Sequence, residues 1–289
     1  MNYRHGFHAG SFADVFKHAL LARLLVHLTK KDAPFRVIDT HAGEGAYDLF
    51  SQEAERTGEW REGVGRLEDF AYWPEAARAL LSPYLERLGP FIEGRPRLYP
   101  GSPLIAQSFL REKDRALFCE LREDAYAALS ARFRRDPRVK ALCIDGYTGL
   151  GAFVPPKERR GLVLIDPPFE RTDEYQAMFS AFLTAHSKWP TGIYALWHPI
   201  KTLSETQAFH DAFAKAGVRR ALRLDHCVGG EALRLNRCGL VVVNPPYGFL
   251  DDARAILAFL APRLAQGDGA GFVVEELTGE KDGFPHSSG

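Results

Sequence analysis

Residues 166–169 read Asp-Pro-Pro-Phe and directly follow an apolar run, LVLI, at 162–165. Two successive prolines fix φ and cannot continue a sheet, so the chain leaves a strand rigidly here. The Asp166 carboxylate and the Pro167 carbonyl become two acceptors at a fixed separation, with the Phe169 ring beside them. An exocyclic amine on a nucleobase offers two N–H donors and a flat face. Two acceptors hold such an amine and bias its lone pair toward sp³ character, while the aromatic ring stacks on the base. A methyl sulfonium placed in line is then open to direct attack. Asp166 need not be a strong base, because the amine becomes acidic only as the methyl arrives. The competing reading is an ordinary Pro-Pro turn at a strand exit.

Three other apolar runs end in polar residues. Asp39-Thr40-His41-Ala42-Gly43-Glu44-Gly45 follows the run at 35–38. Glycines at the carboxyl edge of a parallel strand let backbone approach a nucleotide-like ligand closely. The full G-x-G-x-x-G is absent, which argues against a nicotinamide cofactor, and G-x-G alone also fits a tight turn. Glu120 closes the run at 116–119, where an acid can take both hydroxyls of a ribose. Asp145-Gly146 closes 139–144, where a carboxylate can accept from an adenine amine. Each acid singly also fits a helix cap or a turn. In consecutive order they describe an adenosine-shaped slot along one sheet edge.

The elements that must position these residues alternate. Residues 11–29 carry apolar residues at helical spacing, and Ser11 and Asp14 fit the S-x-x-D start signal. Strand-like runs at 35–38, 116–119, 139–144, 162–165 and 193–196 are mostly separated by helical patterns, including 102–111, with Pro103 at N1, and 124–134. This predicts an α/β fold with a doubly wound, mostly parallel sheet. Runs at 221–228 and 240–243 flank a Gly-rich loop too short for a helix, so they form a C-terminal hairpin with one antiparallel strand. Asp39 and Glu120 lie 81 residues apart, where a βαβ unit needs about 30. The surplus, 48–98, reads as a helical subdomain inserted in the first crossover of a single domain spanning 1–289. The tail from Gly279 reads as frayed.

Composition bounds the class. The 289 residues are 46% hydrophobic, 12% aromatic and 26% charged, values of a globular chain with volume for a core. No run approaches 18 apolar residues and the start lacks a secretory core, so a cytoplasmic protein without a membrane span is expected. Four scattered cysteines without C-x-x-C spacing predict neither a zinc knuckle nor a disulfide framework. His5 and His8 have no matching cysteine cluster, so no metal is expected. The balance of 37 Lys+Arg against 37 Asp+Glu speaks against a nucleic-acid partner only as a sum. Residues 131–140 hold five basic residues against one acid, with further clusters at Lys157, Arg159 and Arg160, at Arg219, Arg220 and Arg223, and at Arg234 and Arg237. Such runs fit solvated faces, and a basic face also suffices for phosphate contacts.

The stretches YRHGFHAG, DVFKH, DTHAGEGAY, ERTGEW, YPGSPLIA, IDPPF, TGIYALWHP and VVNPPY together resemble the RlmJ-type 23S ribosomal RNA adenine-2030 N6-methyltransferases over nearly the whole chain. The resemblance implies a Rossmann-like class I methyltransferase, S-adenosylmethionine as cofactor and a 23S RNA substrate that is protein-free or in early assembly; a monomer is expected because it suffices for this chemistry. It puts cofactor contacts at His18, His41, Ser102, Glu120, Asp145, Gly146 and Asp166, and the catalytic acceptor at Asp166, beside the Pro167 carbonyl and the Phe169 ring read from the motif itself. It also places Tyr3, His5 and Lys17 near the reaction, Tyr3 and His5 in an N-terminal segment that folds over the site when RNA or cofactor binds. Phe169 departs from the family's usual tyrosine, which keeps stacking but loses a hydroxyl. Asn244-Pro245-Pro246-Tyr247 repeats the motif 78 residues after Asp166, but it follows the antiparallel strand and should exit at the opposite edge. Two alternatives stand beside this reading: the same chemistry on DNA, and a non-catalytic nucleic-acid-binding protein linked to use of external DNA.

Overall fold

The computed structural model describes residues 3–230, 233 and 235–280, so Arg234 and residues 281–289 of the tail lie outside it. Eight strands form the central sheet: β1 (Arg36–Asp39), β2 (Arg115–Glu120), β3 (Val139–Cys143), β4 (Gly161–Ile165), β5 (Ile193–Pro199), β6 (Ala221–Cys227), β7 (Arg237–Val243) and β8 (Gly271–Thr278). Their order across the sheet is β8-β6-β7-β5-β4-β1-β2-β3. β1 to β5 pair in parallel, β7 is antiparallel to both β5 and β6, and β8 is antiparallel to β6. The C-terminal hairpin is therefore as expected, but β8 is an edge strand the sequence reading left within the C-terminal region. Its burial does not alternate cleanly, so period two was not visible there.

Nine α-helices among the described residues surround the sheet: α1 (Phe12–Thr29), α2 (Gln52–Thr57), α3 (Glu75–Leu85), α4 (Ser102–Ser108), α5 (Glu123–Phe133), α6 (Gly146–Phe153), α7 (Glu174–Lys188), α8 (Leu203–Lys215) and α9 (Phe249–Arg263). α4 ends before the expected 111 because Asp114 turns the chain toward β2, accepting from Arg111 N and from Phe35 N. α1 starts as expected, with Ser11 accepting from Asp14 N. It is buried on nearly every side, packed against α3, α4, α9 and the sheet. A helix buried on nearly every side belongs in a core, and Asp14, Lys17 and His18 near its start are buried with it.

Between β1 and β2 the chain is less helical than the sequence pattern suggests. α2 and α3 are joined by three short 3₁₀ turns and flanked by the antiparallel pair Ala46–Asp48 and Leu98–Pro100. These segments clasp residues 3–10. Val64 N donates to Gly10 O at 2.8 Å, Arg4 pairs with Glu53 at 3.1 Å and His8 with Glu59 at 2.9 Å. Gly63 is required there, since a Cβ would lie 2.0 Å from Gly10 O. Among the described residues no helix is long and apolar enough to cross a membrane.

Candidate active site

Parallel strands followed by helices put their βα turns on one edge. Asp39 and Glu120 accordingly close β1 and β2 there, and Asp145 and Asp166 follow the ends of β3 and β4. Gly43 N donates to Glu120 Oε2 at 2.8 Å and Arg122 N to Oε1 at 2.8 Å, so Glu120 ties the loop after β1 to the end of β2. Each oxygen retains a second lone-pair direction for a hydroxyl. Asp145 caps α6 by accepting from Thr148 N at 2.8 Å, so the cap reading holds. Gly146 leaves backbone bare: a Cβ would lie 2.1 Å from Thr40 O and 2.9 Å from His41 Cε1.

Asp39 is 1% exposed. Its Oδ1 accepts from His41 N at 3.2 Å and Oδ2 is buried without a partner. Burial pushes its carboxyl up to about 7, against a hydrogen bond from Ser102 at the start of α4. Thr40 Oγ1 donates to Leu164 O at 3.1 Å, so at 2.8 Å it must accept from His41 Nδ1–H. His41 therefore keeps a lone pair on Nε2, and burial holds the ring neutral by lowering its pKa to about 4.

Asp166 receives Lys17 Nζ at 2.5 Å. The same ammonium lies 3.1 Å from Asp14 Oδ1, and Asp14 Oδ2 is 2.9 Å from His5 Nε2. His5 Nδ1 meets Tyr3 OH at 2.8 Å, and the Tyr3 ring stacks on His8 with centroids 5.5 Å apart. A continuous polar chain thus runs Tyr3–His5–Asp14–Lys17–Asp166. Burial would lower the Lys17 pKa, but the Asp166 and Asp14 carboxylates override it and raise it well above the ordinary lysine range. Asp14 is held well below the usual carboxylate range because His5 and Lys17 outweigh its burial. His18 is engaged elsewhere: its Nδ1 meets Tyr99 OH at 2.9 Å, and its Nε2 stands 4.0 Å from Asp14 Oδ1.

Pro167 is buried and Phe169 half-buried. Phe169 sits at φ +50°, a left-handed conformation costly for a side chain this large. Its ring packs edge-on against Tyr175 and Trp197, with centroids 5.0 and 6.1 Å away, and Lys17 Nζ lies 5.7 Å from the Trp197 ring. The sequence reading did not single out Asp14 as a site residue, nor Trp197 and Tyr175. For Asp14 a signal existed: an acid followed at i+3 and i+4 by two further polar residues in the first half of a mostly apolar helix.

The rival Asn244 follows β7 and donates to Pro190 O and Gly192 O, both at 2.8 Å, in the turn that precedes β5. That is the amino edge of the parallel strands, as topology required. Its Tyr247 is 99% exposed.

The sheet order and its line of acidic strand ends define a Rossmann-like methyltransferase. Residues 32–275 match the family described as "Ribosomal RNA large subunit methyltransferase D, RlmJ", and the chain belongs to that family. It is 37% identical over 284 residues to the ribosomal RNA large subunit methyltransferase J of Haemophilus influenzae, covering 97% of this chain and 100% of that one. The Escherichia coli K12 protein of the same name is 38% identical over 267 residues, covering 91% and 94%. A crystal structure from Legionella pneumophila, protein LPL1258, superposes with a TM-score of 0.85 at 32% identity, covering 95% of this chain and 99% of that one.

Proposed function

We propose that this methyltransferase transfers a methyl group from S-adenosylmethionine to N6 of one adenine in 23S ribosomal RNA, adenine 2030 being the position the resemblance implies. The observation that carries the reading is Asp166-Pro167 at the carboxyl edge of the sheet, ion-paired to Lys17 beside the slot of Glu120 and Asp145. The names of the two bacterial relatives support a large-subunit RNA substrate.

The residues present fit the cofactor. Asp39 Oδ2 is a buried polar atom without a partner, and Gly146 exposes backbone that a side chain would close. His41, Ser102, Glu120, Asp145 and Gly146 would hold it, Glu120 at the ribose hydroxyls and Asp145 at the adenine amine. His18, the remaining cofactor contact the resemblance implies, is buried with its Nδ1 on Tyr99 OH. When bound, S-adenosylmethionine supplies an electrophilic methyl on a sulfonium. Asp166 Oδ1 and the Pro167 carbonyl accept the two N–H groups of the target amine, and Phe169 stacks on the base. Lys17 fixes Asp166 by its other oxygen, and the proton the amine releases passes to Asp166 Oδ1. A base must leave its stack to reach this pocket, at a cost of about a few kcal/mol.

Much of the basic charge is used inside the fold. Arg160 donates to Ala33 O and Leu28 O, and Arg223 pairs with Asp225 and Glu275. Exposed Arg132, Arg134, Arg135 and Lys140 remain on the face of α5 and β3. Arg132 reaches Glu44 O in the glycine loop, so RNA phosphates held there lie next to the site. One chain carries every residue named, and a monomer suffices.

The test is labelled-methyl transfer to naked 23S RNA, to DNA and to assembled large subunits. Label in N6-methyladenine of the naked RNA is expected. Transfer to DNA with none to RNA overturns the substrate, and no transfer to any of the three overturns the reading.

A further inference from the structure

Behind the aromatic wall of the site lies a buried row that the methyl-transfer reading does not use. In the sheet, Gly239 of β7 stands in register between His198 of β5 and Asp225 of β6. β5 and β6 are separated by a whole strand, about 10 Å at ordinary strand spacing. The two side chains meet only because the residue between them has none: a Cβ on Gly239 would lie 2.6 Å from His198 Nε2 and 2.8 Å from Asp225 Oδ1. A glycine inside a strand marks such a close approach. His210 of α8 comes down on the same row, its Nε2 3.3 Å from His198 Nε2. One ligand atom from each of His198, His210 and Asp225 lies within 4.8 Å of the others. The three residues are 0%, 2% and 6% exposed.

We propose that His198 Nε2, His210 Nε2 and the Asp225 carboxylate form a buried zinc site that ties β5, β6 and α8 together. His198 Nδ1 lies 3.4 Å from Pro199 O as a donor, which leaves the lone pair on Nε2. Asp225 Oδ2 is held by Arg223 at 2.6 Å, whereas Oδ1 is buried with no partner in a cluster that contains two ring nitrogens. A hydrogen bond between the two histidines explains their approach but leaves that oxygen without use. A cation uses all three atoms. The nitrogen separation matches the edge of a zinc tetrahedron, about 3.3 Å for Zn–N bonds near 2.0 Å. Two imidazoles and a carboxylate are a donor set that zinc takes, with water in the fourth position. The site adjoins the target pocket: the Tyr175 ring touches both Phe169, at 5.0 Å, and His198, at 5.8 Å between centroids.

The experiment uses full-length protein carrying Cys143→Ser and Cys227→Ser, so that partly accessible thiols do not collect metal. After stripping with a chelator, it is titrated with Co²⁺ and then Zn²⁺. About one equivalent of Co²⁺ with intense tetrahedral visible bands, displaced by Zn²⁺, is expected. His210→Gln and Asp225→Asn should lose the bands while His186→Ala keeps them, with circular dichroism and S-adenosylhomocysteine binding as fold controls. X-ray absorption of the zinc-loaded protein should show only nitrogen and oxygen neighbours with imidazole scattering, a readout that needs no substitution at the site. Absence of stoichiometric binding, a sulfur ligand, or bands that survive in both folded variants overturns the proposal.

Discussion

Replacing Lys17 by methionine keeps the length of the side chain and removes the one charge that sits between two acids. The ammonium is 2.5 Å from Asp166 Oδ2 and 3.1 Å from Asp14 Oδ1, and the Lys17 side chain is 6% exposed. Removing one member of a buried pair typically costs about 3–5 kcal/mol, because the other charge stays buried and unpaired. The low end applies here. Asp14 keeps His5 at 2.9 Å and Gly10 N at 3.0 Å, and the Asp166 side chain is 14% exposed and partly screened by solvent. The expected loss is therefore about 3 kcal/mol, or roughly a hundredfold in the folded-to-unfolded ratio. The folded pKa of Lys17 is raised, so this stabilisation is fully present below about 10.4 and disappears only as pH rises past the folded value. The difference between wild type and variant should accordingly be flat from about pH 6 to 9 in urea unfolding. In the Asp166→Asn background the same substitution should cost about 1–3 kcal/mol less, since the charge it abandons is gone. Activity should follow the geometry: kcat falls by about 10²–10³, the scale of losing one electrostatic group, with S-adenosylhomocysteine affinity nearly unchanged. Additive single and double variants, within about 0.5 kcal/mol, would refute the coupling.

Two other perturbations separate the site from its surroundings. Asp166→Ala should abolish methyl transfer in a folded protein, whereas Asn244→Ala should leave turnover intact. The latter should still lose about 2–3 kcal/mol of stability, from two 2.8 Å hydrogen bonds and a left-handed φ of +55° that suits Asn better than Ala. An active Asp166→Ala enzyme, or an inactive but folded Asn244→Ala one, contradicts the choice between the motifs. Asp39 is held up at about 7 by burial, against about 3.9 unfolded, so its contribution is present below about pH 4 and lost as pH rises toward 7. Wild type minus Asp39→Asn should therefore decline by as much as about 4 kcal/mol across that interval, and a flat difference in urea titrations at several pH values would show that Asp39 is not buried as a neutral acid.

The line of site residues at the sheet edge was legible because each is the last residue of an apolar run or follows it directly. Alternating strands and helices then send all of those positions to one edge without further information. The same logic rejected Asn244, because the strand preceding it had to turn back. The helical character of 48–98 was less legible. Its apolar residues suit a helix by spacing, but Gly58 and Gly63 break the chain into 3₁₀ turns that fit around residues 3–10. β8 was missed because an edge strand exposed on much of its length needs no alternation.

What the sequence by itself determined is which polar residues end the parallel strands at one sheet edge and the rigid exit at Asp166-Pro167-Pro168-Phe169, both consequences of local backbone restriction and period. It determined the balance of charge as well, though not its use, since Arg160 and Arg223 turned out to be engaged within the fold. Tertiary structure alone decided that Lys17 meets Asp166 across 149 residues of chain, and that Asp14 links both to the N-terminal segment. It also decided that His198 and Asp225 meet over Gly239, because strand register has no signature in either strand taken alone. A turn is specified by the residues that make it. A buried ion pair is specified by the core that forces its two halves together.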